Sequence, residues 1–269
     1  MDTRCQQRPP DTIKLPQLPC VESIKKAISE AKEIGRGGNA VVYDTEHPDF
    51  VLRVLRGERQ TSQSTGVQNE PTPVEDRFPG RNFGQTVGTL NGIQILKRQS
   101  GLPAGLSTKT ASQEENDTRY AEVVTLAAQM PQSAYDGFAR DLLFLHSAGA
   151  KFDPSKSNNV LIDTKAGRFN IVDTNDGNYK SGLEDMLIVL MGNTYASYYR
   201  GEKPLKEEYA RIFTKAECAA KKVGLSTELG SSGDYSKQLA EGYVAPPLAK
   251  ASGTNIAHQK DEGISWTTV

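Results

Sequence analysis

The chain has little cysteine, histidine or net charge, and each shortage excludes a class of protein. Three cysteines (Cys5, Cys20 and Cys218) and three histidines among 269 residues form neither a disulfide framework nor a metal-ligand spacing. A formal net charge of −1 gives no overall basic field that would attract nucleic acid. No apolar run approaches the roughly 18 residues that span a bilayer. We expect a monomer with no nucleic-acid partner and no membrane span.

The two ends of the chain are predicted to be tails. Residues 1–22 are polar and proline-rich without the apolar core of a signal peptide, so we expect a disordered leader. In residues 230–269, Gly, Ser, Pro and Lys interrupt every periodic run, which predicts a C-terminal extension without regular structure. The chain between them is long enough for two small lobes, which we place at residues 23–104 and 105–229.

The most informative stretch of sequence runs from residue 151 to residue 173. Apolar residues 160–162 predict a buried strand, residues 164–167 predict a turn, and residues 171–172 predict the partner strand. The stretch therefore predicts an apolar hairpin with polar residues at its open end.

Polar side chains bracket this hairpin in the way that a phosphotransferase holds metal and nucleotide. Asp153 stands five residues before Asn158, and Asp173 follows the second strand. In such chemistry a loop acid orients the acceptor hydroxyl, while an amide and a second acid hold Mg²⁺ against the phosphates. If the amide is identified by its spacing from Asp153, it is Asn158. If it is identified as the residue directly before the predicted strand, it is Asn159. Asp and Asn are also common in ordinary turns, which is the alternative interpretation.

A glycine-rich turn of the form G-x-G-x-x-A-x-V provides a second signal. It contains Gly35, Arg36, Gly37, Gly38, Asn39, Ala40 and Val42. Glycines let the backbone approach phosphate oxygens and present N–H groups to them. Residues 41–43 continue as strand rather than helix, which disfavours a Rossmann dinucleotide site. A plain β-hairpin with a glycine turn is the alternative interpretation.

In order and spacing, these motifs resemble the protein kinase superfamily. Within it, the chain is similar to the short, divergent effector kinases that bacterial pathogens inject into host cells, such as the NleH and OspG families. The resemblance runs from about Glu33 to Met191. It implies a two-lobed α+β fold, with a small β-rich N-terminal lobe, a helical C-terminal lobe and a shortened activation segment.

The resemblance also implies a cleft that holds ATP and Mg²⁺. In such a cleft Val42 and Leu52 would line the adenine pocket, and residues 35–40 would cover the phosphates. Residues 92–103 look like the fifth strand and the hinge of the family, and Lys97 in this strand is a further candidate for nucleotide binding.

The predicted strand at residues 50–56 carries Arg53 where kinases carry the lysine of V-A-I-K. Arginine keeps a positive charge and can bind phosphate through two nitrogens, but it is not equivalent to lysine. The resemblance implies that Arg53 pairs with a glutamate of the C-helix region, for which Glu70 is our choice and Glu75 the competitor. A solvated charge on the face of a strand is the alternative interpretation of Arg53.

Two departures from the kinase pattern have chemical consequences. Phe152 stands where the family has the arginine that reads a phosphorylated activation loop, and the D-F-G motif appears as Asp173-Thr-Asn175. Glu184, at the start of the next apolar segment, follows Asp173 by eleven positions, so only ten residues lie between them. Activity should then not depend on loop phosphorylation, although loss of catalysis in a pseudokinase would leave the same pattern.

From the resemblance we expect an ATP-dependent kinase that phosphorylates Ser, Thr or Tyr of a host protein. Secretion by a bacterial type III system into the host-cell cytoplasm, and a possible host activator protein, belong to the same expectation. The alternatives are a pseudokinase that works by binding, and a small-molecule phosphotransferase of the aminoglycoside type.

Overall fold

The computed structural model describes most of residues 32–242, with gaps. The described residues are 32–36, 40–45, 48–55, 86–90, 93–105, 112–151, 153–172, 175–176, 181–199, 201 and 204–242. The predicted tail at residues 1–22 and the candidate acids Glu70 and Glu75 lie outside them.

The N-terminal part of the chain forms a five-stranded antiparallel sheet in the order β1-β2-β3-β5-β4. The strands are β1 (Glu33–Arg36), β2 (Ala40–Tyr43), β3 (Phe50–Leu55), β4 (Thr86–Leu90) and β5 (Ile93–Lys97). β-Branched and aromatic residues dominate the central strands and favour the extended backbone. Phe50, Leu52 and Ile95 form a small buried cluster on one face of the sheet.

A short linker leads from this sheet to a second, three-stranded sheet in the order β6-β8-β9. Its strands are β6 (Leu102–Pro103), β8 (Val160–Asp163) and β9 (Arg168–Ile171). The predicted hairpin and its turn at residues 164–167 are therefore confirmed, but the second strand begins earlier than predicted, at Arg168, and ends at Ile171, before Val172. Phe169 anchors the hairpin to the helices, because its ring packs edge-on against Tyr135 with centroids 5.3 Å apart.

Two long helices precede the hairpin in sequence. They are α1 (Gln113–Gln129) and α2 (Gln132–Ser147). A capping box fixes the start of α1, because Ser112 and Glu115 are joined by reciprocal hydrogen bonds. The first turn of α1 is polar, so hydrophobic periodicity in the sequence does not predict that it is helical.

The remaining described helices complete the C-terminal part. They are α3 (Leu183–Met191), α4 (Asn193–Ala196), α5 (Lys206–Val223) and α6 (Ser231–Ala240). The prediction that the chain has no regular structure from residue 230 onward is wrong for α6. Its Leu239 is buried in the same hydrophobic core as α2, α3 and α5.

The order of these elements is that of a two-lobed protein-kinase-like α+β fold. An antiparallel sheet comes first, a linker follows, and two helices lead to a polar loop, a hairpin and a helical remainder. The expected fold class is thus confirmed, and the polar loop lies where the linker, the hairpin and the helical core meet.

Candidate functional site

Asp153 begins a tight polar loop that ends directly before β8. Lys156 donates its backbone N–H to the Asp153 carbonyl at 3.2 Å, and Asn159 donates to the Lys156 carbonyl at 2.8 Å. The second of these turns is a short 3-10 helix, Ser157–Asn159. These successive backbone hydrogen bonds fix the conformation of the loop that carries Asp153.

The carboxylate of Asp153 is oriented by its own loop. One oxygen, Oδ1, accepts hydrogen bonds from the Ser155 backbone N–H at 3.1 Å and from the Ser155 hydroxyl at 2.6 Å. The other, Oδ2, lies 3.5 Å from the ammonium of Lys156. The side chain of Asp153 is 27% exposed to solvent, so a reactant can reach it.

Lys156 is a candidate residue that the sequence interpretation missed. Its side chain is 53% exposed and lies beside the loop acid, where a positive charge could meet a phosphate. The signal in the sequence was a lysine three positions after Asp153, within a loop already singled out for its acid.

Asn158 and Asn159 are both buried at the end of the loop. The amide of Asn158 lies against Gly105, which follows β6. The backbone carbonyl of Asn159 accepts the N–H of Val172 at 2.8 Å, and its buried amide nitrogen has no hydrogen-bond partner within the described residues. The structure thus brings both candidate amides to the open end of the hairpin.

Asp173 lies outside the described residues, but the chain around it is tied to the loop. Its neighbour Val172 is bonded to Asn159 as above. Two residues beyond Asp173, β10 (Asn175–Asp176) pairs antiparallel with β7 (Ala150–Lys151), directly before the loop. The strand pairing therefore joins the segment after the hairpin to the segment before Asp153.

The strands on either side of the glycine-rich turn pair as a hairpin, which both interpretations of the motif expect. Gly35 pairs with Val42 and Arg36 pairs with Val41, and Ala40 is buried. The three residues at its turn, 37–39, lie outside the described residues, so their role over the phosphates stays a prediction.

The register of β2 and β3 decides which side chains accompany Arg53. Val42 lies directly opposite Arg53, so both lie on one face of the sheet. Leu52 neighbours Arg53 in the strand and lies on the other face, fully buried with Phe50 and Ile95. The expectation that Leu52 and Val42 line one pocket therefore does not hold.

The residue of β3 that shares a face with Arg53 is Val51, not Leu52. Val51 and Arg53 are two positions apart, and alternate residues of a strand lie on the same face. Lys97 pairs with Phe50 and is exposed on the face opposite to Arg53. Strand alternation counted from Arg53 would have selected Val51 from the sequence.

Arg53 is half-buried and donates a hydrogen bond from Nη1 to Gln94 Oε1 at 3.2 Å. Gln94 lies opposite it on β5. This contact holds the guanidinium over the sheet face without neutralising its charge. Pairing with Glu70 or Glu75 stays a prediction, because both acids lie outside the described residues.

Across the described ranges, no group of three or more His, Cys, Asp or Glu side chains could hold a metal ion. In the same part of the chain, every helix is too short or too polar to cross a membrane.

Comparisons with known proteins found similarity at the level of solved structures. No family model and no curated protein matches the chain. The streptomycin-ATP-APH(2'')-IIa ternary complex is 13% identical with a TM-score of 0.32, over 83% of this chain and 95% of that one. The aminoglycoside phosphotransferase APH(2'')-Ib with ADP bound is 10% identical with a TM-score of 0.31, over 82% and 97%. At these values the likeness assigns no function to the chain.

Proposed function

We propose that the protein is an ATP-dependent phosphotransferase that transfers the γ-phosphoryl group to a hydroxyl of a protein. The loop from Asp153 to Asn159 carries this proposal, because it combines an oriented acid, an adjacent lysine and two buried amides. Phosphoryl transfer needs positioning and charge neutralisation more than covalent chemistry from the protein, and these are the groups that supply both.

Each group has a role that its surroundings support. Asp153 would accept a hydrogen bond from the attacking hydroxyl, since its carboxylate is fixed by Ser155 and remains accessible. Lys156 and Arg53 would neutralise phosphate charge. Val42 and Val51, which lie on the same sheet face as Arg53, would contact the base.

Mg²⁺ fits the side chains at the open end of the hairpin. Mg²⁺ prefers oxygen ligands and is bound by a few protein groups together with phosphate oxygens. Asn158 or Asn159 would supply an amide oxygen and Asp173 a carboxylate. The unsatisfied buried end of the Asn159 amide agrees with a ligand at that place, since a half-turn of the amide exchanges nitrogen for oxygen. When bound, the metal would neutralise the phosphates.

The decisive test is nucleotide binding that depends on Asp173. Mg-ATP at millimolar concentration should raise the melting temperature by mass action, and Asp173→Ala should remove the magnesium-dependent part of the shift. The control is Asp234→Ala, which changes an exposed acid in the first turn of α6. An unchanged melting curve of the wild-type protein in Mg-ATP would refute the proposal.

A host-cell protein as the acceptor belongs to the same proposal, on the strength of the motif resemblance. Wild-type and Asp153→Asn protein can be incubated with host lysate and labelled ATP. Label transferred by the wild-type protein alone supports an enzyme. Binding of Mg-ATP without transfer to any lysate protein would favour the non-catalytic alternative.

A further inference from the structure

The linker between the two lobes is fastened to both of them within three residues. Arg98 is tied to the N-terminal sheet, and Ser100 is tied to the hairpin of the C-terminal part. Linkers of this kind often permit lobes to move, because few contacts cross them. The contacts of residues 98–101 argue for the opposite behaviour here.

On the side of the sheet, Arg98 makes three contacts. Its guanidinium forms an ion pair with Asp44 and donates a hydrogen bond to the Phe50 carbonyl at 3.1 Å. Its backbone N–H donates to the Asp49 carbonyl at 2.7 Å. These contacts extend the pairing of β3 with β5 by one residue into the linker.

On the side of the hairpin, Ser100 contacts two buried polar residues. Its hydroxyl donates to Asp163 Oδ2 at 2.5 Å, and its carbonyl accepts from Asn170 Nδ2 at 2.8 Å. Asp163 and Asn170 are 4% and 0% exposed, so both bonds are shielded from water. Hydrogen bonds to a buried carboxylate are among the stronger ones in proteins.

Asp163 is held as a carboxylate at the centre of this arrangement. Burial alone would raise the pKa of Asp163, but hydrogen bonds from Ser100 and the Ala166 N–H, together with the Arg168 charge, place it below its ordinary value. Arg168 Nε lies 3.9 Å from Oδ2. The same carboxylate therefore joins the linker to the turn of the hairpin.

The backbone at Gly101 also follows the hairpin closely. Its φ of 128° lies in a region that other residues rarely adopt, and a Cβ there would stand 2.9 Å from the carbonyl carbon and oxygen of Ile162. Beyond it, Ala104 donates its N–H to the Val160 carbonyl at 2.8 Å. The linker is thus packed along β8 from Gly101 to Ala104.

We propose that residues 98–101 form a rigid bracket in which Asp163 is a positioning residue, holding the sheet that carries Arg53 at a set distance from the loop that carries Asp153. The cleft is then preformed before a ligand arrives. The assignment of that ligand as Mg-ATP rests on the proposed function, whereas the bracket itself is a property of the ligand-free protein.

Hydrogen exchange of the ligand-free full chain tests the bracket directly. Ser100→Ala removes the hydroxyl bond to Asp163 and should speed exchange in residues 98–104 about tenfold, with α2 unchanged. Ser147→Ala is the matched control, because its hydroxyl bonds within one helix to the Leu143 carbonyl and should leave the linker unchanged. Unchanged linker exchange in Ser100→Ala, or an equal rise over the whole chain, would overturn the bracket.

Two further measurements separate positioning from simple stability. In an Asp163→Asn background, Ser100→Ala should add little to linker exchange, since coupled partners are not additive. At a temperature well below melting, Ser100→Ala should raise the KM for ATP about threefold to tenfold and change kcat little, because the lobes must then be ordered by the ligand. An unchanged KM would contradict the positioning role. If wild-type protein binds no Mg-ATP, the proposed function fails while the exchange experiment still decides on the bracket.

Discussion

The close approach of Gly105 to Asn158 gives a prediction that tests the geometry of the candidate site. Gly105 is buried, and a Cβ at this position would stand 2.1 Å from Asn158 Oδ1 and 2.7 Å from the Asn158 backbone nitrogen. The amide could rotate away from the new methyl group. The backbone nitrogen cannot, because the 3-10 turn holds it in place.

Gly105→Ala should therefore destabilise the protein by about 1–3 kcal/mol, the usual cost of forcing an extra methyl group into a packed interior. Gly137→Ala is the control with the opposite expected sign. Gly137 lies within α2 with open space around its Cα, so alanine there should stabilise by about 0.5–1 kcal/mol through helix propensity.

Urea unfolding measures both changes as shifts in midpoint at constant m-value. A Gly105→Ala midpoint equal to that of the wild-type protein would show that Asn158 does not lie against Gly105 as described. A second measurement follows if Asn158 is the metal ligand. The magnesium-dependent part of the ATP-induced melting shift should then fall in Gly105→Ala and persist in Gly137→Ala.

Two other predictions concern the helical part. Ser112→Ala removes the capping hydroxyl of α1 and should lower the free energy of unfolding, measured in urea, by about 0.5–2 kcal/mol. Ser155→Ala is the control, and it should leave hydrogen exchange in α1 unchanged. Asp136 accepts from Gln132 and pairs with Lys222 at 2.5 Å, and these contacts lower its pKa. Its contribution to stability should be present at neutral pH and be lost as pH falls below 3.8, the ordinary pKa of the group. Asp136→Asn should lower stability at pH 7 by about 1 kcal/mol or less, since Lys222 is exposed, and should flatten the acid limb of the stability curve. A steeper acid limb in the variant would contradict this assignment.

The parts of the fold that the sequence predicted are those with a local hydrophobic signal. The hairpin of β8 and β9 was recognisable because an unbroken apolar run and a turn lie side by side in the chain. The helix α6 was missed because Ser231–Ala240 is polar and contains Gly233. What holds it is distant in sequence, since Glu184 accepts the backbone N–H groups of Gly230 and Gly233 at its start.

The candidate site was predicted unevenly for the same reason. Asp153 and the two asparagines are set by short-range turns, so spacing in the chain was sufficient to bring them together. The face of β3 that carries Arg53 depends on pairing between strands, and a choice one residue out selected Leu52 instead of Val51. The hydrogen bond from Arg53 to Gln94 also depends on the register between β3 and β5, so the sequence did not predict it.

The arrangement around Asp153 bears on whether the protein catalyses or only binds. An acid that orients a hydroxyl needs one oxygen fixed by the protein and another within reach of the reactant. Ser155 fixes Oδ1 with two donors, while Oδ2 faces the ammonium of Lys156, which is long, flexible and half exposed. Phosphate oxygens would draw this ammonium away from the carboxylate without disturbing the turn that holds it. If the protein binds Mg-ATP as proposed, the nucleotide would thus expose Oδ2 to an acceptor hydroxyl, which is what the proposed transfer needs.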